Sequence, residues 1–431
     1  MTISSSLNAG VAALMAHGSR LASISDNVAN ASTYGYKRAE TDFQSLVLAD
    51  SGAGYTAGGV QAQSQRQIGE NGSVVGTNNP TDLAVRGRGF LPVARATDVA
   101  QGGQPQMLLT TTGSFRTDAE GYLRTGSGHV LMGWPANADG SIPAYPRDTS
   151  QGLEPIRIDA NQLDGQPTTS MSLGVNLPAA DTMAGAAGAP QLLSVEYFDN
   201  LGASQNLDFT FTPTVPADGA SNEWTLEITD AATDTVVGEY TLAFDDSPEN
   251  GGSLDAVTTI SGDAYDPATG TLSVETASGP IEIDIGQPGE GGGMTQLAGS
   301  FAPLAIEKDG FPVGNMTGVE VDETGNVSAI FDTGHTRRLY QVPLADMPNP
   351  EGMTSLDQQT YLPSPDSGAY FLWDAGDGPT GDVVSSALEE SATDVAEELT
   401  DMIRTQRAYS SNAKVIQTVD EMLQETTNLK R

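Results

Sequence analysis

The last fifty residues, 382–431, contain no glycine and no proline, whereas the preceding 381 hold all 49 glycines and 24 prolines. A chain so dense in turn formers that then drops them for fifty positions predicts one long helix. Asp382, following Gly381, is the predicted N-cap. Glu389, Glu390, Asp394, Glu397 and Glu398 precede Arg404, Arg407, Lys414, Lys430 and Arg431, the charge order a helix dipole favours. Such a helix would run roughly 70 Å, longer than a compact domain needs.

Its apolar residues recur every seven positions at Leu388, Val395, Met402, Tyr409, Ile416 and Leu423. The flanking row is patchier, mixing Ala392, Leu399, Ile403, Ala413, Val419 and Met422 with Gln406 and Asn412. At the opposite end Leu7, Leu14, Leu21 and Val28 also lie seven apart, with Val11, Met15 and Ile24 beside them. A seven-residue repeat marks a helix packing along another helix. The two terminal helices are therefore expected to pair with each other, or with copies in neighbouring subunits, through that seam.

Everything between reads as β. Alternating apolar runs at 193–197, 207–211, 224–228, 236–244, 271–275 and 281–285 are each bounded by Gly, Asp, Asn or Pro. Residues 118–121, 139–140 and 322–325 read as hairpin turns, because the acidic spacing lacks the closing glutamate of a calcium loop. The glycine run 289–293 reads as a flexible connector. The expected fold class is α+β multidomain: long terminal α-helices forming a coiled-coil-like inner domain, with β-rich middle domains inserted between them. The expected boundaries are 1–30 and 382–431 for the helical inner domain, and 31–75 for a linker or strap. An inner β-domain takes 76–167 and 300–381, and an acidic outer β-domain takes 168–299.

Charge sharpens the division. The chain carries 56 acidic and 19 basic side chains, a formal charge of −37, which excludes binding driven by nucleic-acid phosphates and argues against docking on anionic lipid. Residues 1–90 are neutral, with six acids and six bases. Residues 158–307 contain 23 acids and no Lys or Arg. A segment with one sign of charge must keep most of it solvated, so it is expected to face outward.

The residues offer no catalytic chemistry. With no cysteine there is no disulfide, thiolate zinc site, iron–sulfur cluster or thiol nucleophile. His17, His129 and His335 are too scattered for a metal cage. Gly87-Arg88-Gly89 is only a fragment of a phosphate loop, and no serine sits in a nucleophile elbow. No enzyme activity, metal or cofactor is expected. No apolar stretch approaches membrane-spanning length, and residues 7–15 lack the character of a cleaved secretory signal.

Four blocks carry a resemblance. Residues 24–37 read Ile-Ser-Asp-Asn-Val-Ala-Asn-Ala-Ser-Thr-Tyr-Gly-Tyr-Lys, in which Asn27, Ala29, Asn30, Thr33, Gly35, Tyr36 and Lys37 match the N-terminal signature of bacterial flagellar rod and hook proteins. Residues 79–90 resemble that family's next block, as do 112–115 followed by Asp118, Gly121, Tyr122 and Leu123. Residues 402–423 are similar to its C-terminal helix, with Gln406, Arg407, Tyr409 and Asn412 among the matched positions. Ser25-Asp26, Arg88 and Ala392-Thr393 depart from the usual pattern. The length demands a central insertion, and 168–177, 197–202, 207–224, 295–301 and 314–319 resemble hook rather than distal rod proteins, which remain the alternative.

The resemblance implies a structural subunit that self-assembles as a homopolymer into a curved, hollow, flexible tube, passing motor torque from rod to filament. It implies as partners the flagellar rod, hook cap and hook–filament junction proteins, and the type III export apparatus. It implies an extracellular place in the hook, reached without a cleaved signal.

Overall fold

The computed structural model describes residues 3–46, 58–137, 140–159 and 163–428. Part of the strap expected at 31–75, the Asp139 half of one expected turn, and Lys430 and Arg431 therefore lie outside the described residues. The chain divides into two compact units. The first holds residues 1–160, 318–330 and 336–431; the second holds 161–317 and 331–335.

In the first unit, the N-terminal helix Ile3–Ala29 packs antiparallel to the C-terminal helix Val395–Asn428. The direction follows from three contacts: Asn27 with Glu398, Arg20 with Asp401, and Gly10 with Ile416. Gly10 is buried, and a Cβ there would sit 3.1 Å from Ile416 Cγ1, so the glycine sets how closely the helices approach. The N-terminal helix also packs against an antiparallel hairpin, Ala39–Ser45 with Val60–Arg66. It is fastened by Ser23 against Thr41 at 2.8 Å and by the edge contact of His17 with Phe43.

The C-terminal helix starts twelve residues later than the sequence suggests. Residues Asp382–Ser385 and Ala387–Glu389 are strands, paired with Asp82–Arg86 and Val74–Gly76. Val383 and Val384 are β-branched, and sheet pairing overrides the mere absence of helix breakers. Asp394, not Asp382, caps the helix: its Oδ1 accepts from the amides of Ala396 (2.8 Å) and Glu397 (3.2 Å). The helix is 34 residues long, about 51 Å rather than 70 Å.

The β part of the first unit is built around His129–Pro135, buried along nearly its whole length. That strand pairs antiparallel with Leu91–Arg95, Leu123–Thr125 and Thr336–Gln341. Phe90, Met107, Leu109, Trp134, Met347 and Leu372 fill the core beside it. The turns expected at 118–121 and 322–325 are present, each closed by its aspartate.

The second unit is a sandwich of two five-stranded sheets. Gln191–Phe198, Ser204–Pro213, Glu223–Asp230, Thr235–Phe244 and Leu254–Ser261 form an antiparallel meander. In the second sheet, Ser170–Pro178 runs parallel to Gly279–Asp284 and Thr295–Leu297, and antiparallel to Ala302–Lys308. Because Ala302–Lys308 completes this sheet, the second unit extends past the expected limit of 299. Alternation puts Trp224, Leu226 and Ile228 in the core and Glu223, Thr225 and Glu227 on the outer face. That is how a segment with one sign of charge folds. The exception, Asp230, is fully buried and accepts hydrogen bonds from the Tyr197 hydroxyl and the amides of Ala232 and Ala277. The glycine run 289–293 is a hydrogen-bonded turn inside this unit rather than a loose connector. Gly293 has φ +78°, and a Cβ there would strike the Ile285 carbonyl at 2.3 Å.

Candidate assembly site

The N-terminal signature residues meet where the two terminal helices join the β part of the first unit. Asn27, 1% exposed, is the hub. Its Nδ2 donates to the Ala39 carbonyl (2.9 Å) and to Glu398 Oε1 (2.8 Å), while its Oδ1 accepts from the Ala39 amide (2.8 Å). One side chain thereby fixes the end of the first helix, the strand that leaves it, and the first turn of the C-terminal helix. Arg38 Nε donates to the same Glu398 Oε1 at 2.9 Å.

The helix stops at Ala29 because the chain turns back on itself. Asn30 Nδ2 donates to the Asp26 carbonyl and carboxylate, and Thr33 Oγ1 donates to Asn30 Oδ1. Gly35 has φ +69°, and a Cβ there would lie 2.7 Å from Thr112 Cγ2, so only glycine fits. Tyr36 is buried beneath Arg66, whose guanidinium lies 5.0 Å from the ring centroid. Its hydroxyl sits 2.9 Å from Asp26 Oδ2 and 3.1 Å from Asn27 Oδ1. Burial, then the bond to Asp26, push the phenol up to about 12. Asp26, a departure from the family pattern, thus has defined work at the turn. Ala29 is exposed, and no contact explains its place in the motif.

Lys37 and Glu389 form an ion pair of 2.8 Å with both side chains fully buried. Lys37 Nζ also donates to the Glu70 carbonyl (2.6 Å) and to Asn71 Oδ1 (2.9 Å). Glu389 Oε1 takes a further bond from the Gly72 amide (2.8 Å), and the Glu389 carbonyl accepts from the Gly35 amide. Burial holds the ammonium below the ordinary lysine range, opposed by the charge and hydrogen bond of Glu389. The second and third blocks interlock nearby. Asp82–Arg86 pairs with Thr112–Thr117, the Thr81 hydroxyl donates to the Phe115 carbonyl, and Arg116 meets Asp82 at 3.0 Å. Arg88, another departure, bonds to Asp346.

The expected seam divides. Leu7, Leu14, Leu21 and Val28 are half-buried on the N-terminal helix. On the C-terminal helix the face turned inward is Glu398, Met402, Thr405, Ala408, Asn412, Ile416 and Val419. Met402 and Ile416 therefore join the packed face, whereas Val395, Tyr409 and Leu423 are exposed; Leu388 is buried in a strand, not a helix. Exposed beside them are Leu399, Ile403, Val415 and Met422. Gln406 and Arg407 are exposed too, and among the described residues neither they nor Tyr409 and Asn412 make a side-chain hydrogen bond.

Sequence reasoning missed Glu389, Glu398 and Arg38. Nothing local distinguishes Glu389 from Glu390, and its partner lies 352 positions away. Ser127 Oγ lies 3.2 Å from His129 Nδ1, but among the described residues no carboxylate orients the imidazole. No group of three or more potential metal ligands occurs among the described residues. No described helix is long and apolar enough to cross a membrane.

Comparison with known proteins agrees with this geometry. Three family models match: "Flagella basal body rod protein" at 7–37, "Flagellar basal body protein FlaE D2 domain" at 162–311, and "Flagellar basal body rod FlgEFG protein C-terminal" at 384–429. The flagellar hook protein FlgE of Brucella suis is 34% identical, and that of Rhizobium meliloti 33%, each match covering 100% of both chains. FlgE of Salmonella typhimurium is 27% identical over 99% of this chain and 100% of its own. The crystal structure of Helicobacter pylori flagellar hook protein FlgE2 shares the fold at TM-score 0.50 and 14% identity, covering 73% of this chain and 99% of that one. With full-length relatives, a matching central domain and both terminal signatures in place, this chain belongs to the flagellar hook protein FlgE family, whose members are structural subunits of the hook rather than enzymes.

Proposed function

We propose that copies of this chain polymerise helically into a short, curved, hollow and flexible tube, the universal joint that carries torque from rod to filament. The observation that carries this reading is the set of large apolar side chains left exposed along the C-terminal helix. Ile403 and Met422 are each more than half exposed, with Val395, Leu399, Tyr409, Val415 and Leu423 alongside. A helix exposing this much apolar surface needs partners on more than one side, and contacts that do not close on themselves generate a helical polymer.

In this reading the paired terminal helices are the stiff inner domain, and the hairpin on the N-terminal helix belongs to the strap. The β part of the first unit surrounds that core, and the acidic second unit lies outermost, where hydrated like-charged surfaces favour sliding over locking. The rod, the hook cap, the hook–filament junction proteins and the type III export apparatus are the implied partners. The subunit works outside the cell, exported without a cleaved signal.

Immunogold electron microscopy with antibody against residues 171–299 tests this reading. Gold on a curved segment between cell surface and filament is expected. Gold only after lysis, on a straight shaft within the envelope, would instead indicate a distal rod subunit.

A further inference from the structure

The first unit carries a basic row in a chain of charge −37. Arg116 and Arg124 are directly opposite on the paired strands Thr112–Thr117 and Leu123–Thr125. Tyr122, two residues before Arg124 and so on the same face, bridges to Arg157. Leu123, Ile156 and Ile158 are buried on the reverse face, so Arg116, Arg124 and Arg157 all point outward from three neighbouring strands. At strand spacing the row spans about 10 Å. Arg116 is bonded to Asp82 and Arg157 Nε donates to the Glu120 carbonyl; Arg124 has no carboxylate partner among the described residues. Like charges directly opposite on paired strands are destabilising.

The second unit presents the inverse pattern. Glu227 and Glu239 are directly opposite on Glu223–Asp230 and Thr235–Phe244. Both lie on the outer face, since Leu226, Ile228 and Tyr240 fill the core. Glu223 shares that face, and residues 158–307 supply no Lys or Arg to offset it. Each unit therefore holds a cross-strand pair of like charges at the same spacing, one positive and one negative.

Resting on the self-assembly reading, we infer that the Arg116–Arg124–Arg157 row of one subunit docks on the Glu227–Glu239 face of a neighbouring copy. Each surface relieves the repulsion of the other. The contact is electrostatic and lies at an exposed rim, so it holds register and weakens with salt while tolerating small displacements.

A charge swap in the full-length chain tests it, read as the critical concentration for tube formation at low and at high salt. Arg124→Glu and Glu227→Arg are each expected to raise that concentration about fivefold at low salt. The chain carrying both substitutions is expected to return to within about twofold of wild type, and all differences are expected to shrink near 1 M salt. Both positions are exposed or on an outer face, and circular dichroism of the monomers checks folding. Singles that assemble like wild type, or a double no better than the worse single, would overturn the contact and leave self-assembly standing. A wild-type chain that forms no tubes would instead refute the self-assembly reading, and this contact with it.

Discussion

Replacing Lys37 by Met tests the buried junction most directly. The substitution keeps the length of the apolar stem but removes a cation that makes three hydrogen bonds, one of them to Glu389. Glu389 is fully buried, and its charge would be left with the Gly72 amide alone. Breaking one side of a buried pair costs about 3–5 kcal/mol, because the remaining charge has neither partner nor water. Removing both charges with Lys37→Met and Glu389→Leu should cost only about 1–2 kcal/mol, since the groups left behind, on Glu70, Asn71 and Gly72, are neutral and belong to exposed or partly exposed residues. The double-mutant cycle should therefore show a coupling of at least about 2 kcal/mol. Urea unfolding gives the stability change, and hydrogen exchange at the Gly35 and Gly72 amides, both bonded to Glu389, gives the local one. Exchange there should quicken roughly a hundredfold or more in the Lys37→Met chain. A cost below about 1 kcal/mol, or additive single effects, would refute the claim that this pair clamps the C-terminal segment to the first unit.

Three further outcomes follow. Ile403→Asp lies on the uncovered face, so the monomer should lose less than about 0.5 kcal/mol while tube formation is abolished; Ile416→Asp, facing Gly10, should separate the helices in the monomer itself, visible as lost helical circular dichroism. Asp230→Ala should cost about 2–4 kcal/mol by stranding the Tyr197 hydroxyl and two amides, with the loss confined to the unfolding transition of the second unit. Tyr36 is an acid whose folded pKa is raised to about 12, so its contribution is whole below the ordinary value of 10.0 and declines as pH climbs from there through 12; the stability gap between wild type and Tyr36→Phe should narrow across that window.

The sequence disclosed the parts of this fold that follow from local periodicity. Strands of the second unit such as Glu223–Asp230 could be placed because Trp224, Leu226 and Ile228 alternate with polar neighbours, whereas Ser170–Pro178, Leu254–Ser261, Thr295–Leu297 and Ala302–Lys308 were not among the runs picked out. The start of the C-terminal helix was misplaced because residues 382–389 lack any breaker, yet their backbone groups find partners in strands some three hundred positions earlier. Heptad spacing picked out apolar residues but not which way they face. Met402 and Ile416 are half-buried while Tyr409 and Leu423 on the same stripe stay exposed, a difference in what lies opposite each residue rather than in spacing. Motif matching located Asn27 and Lys37, but their partners Glu398 and Glu389 could not be seen, because burial of a glutamate is decided by what surrounds it in space.

The 352-residue separation between Lys37 and Glu389 also fixes the order in which this subunit can be completed. Closing so long a loop carries an entropic cost that no local contact offsets, so the junction belongs among the last structures to form. A chain cut short anywhere before Glu389 would hold an ammonium in a site built to exclude water, and would lack the helix that shields the first one. Incomplete copies are thus marked by the same residues that finish complete ones, and the fold inspects its own length before it can present a surface to a neighbour.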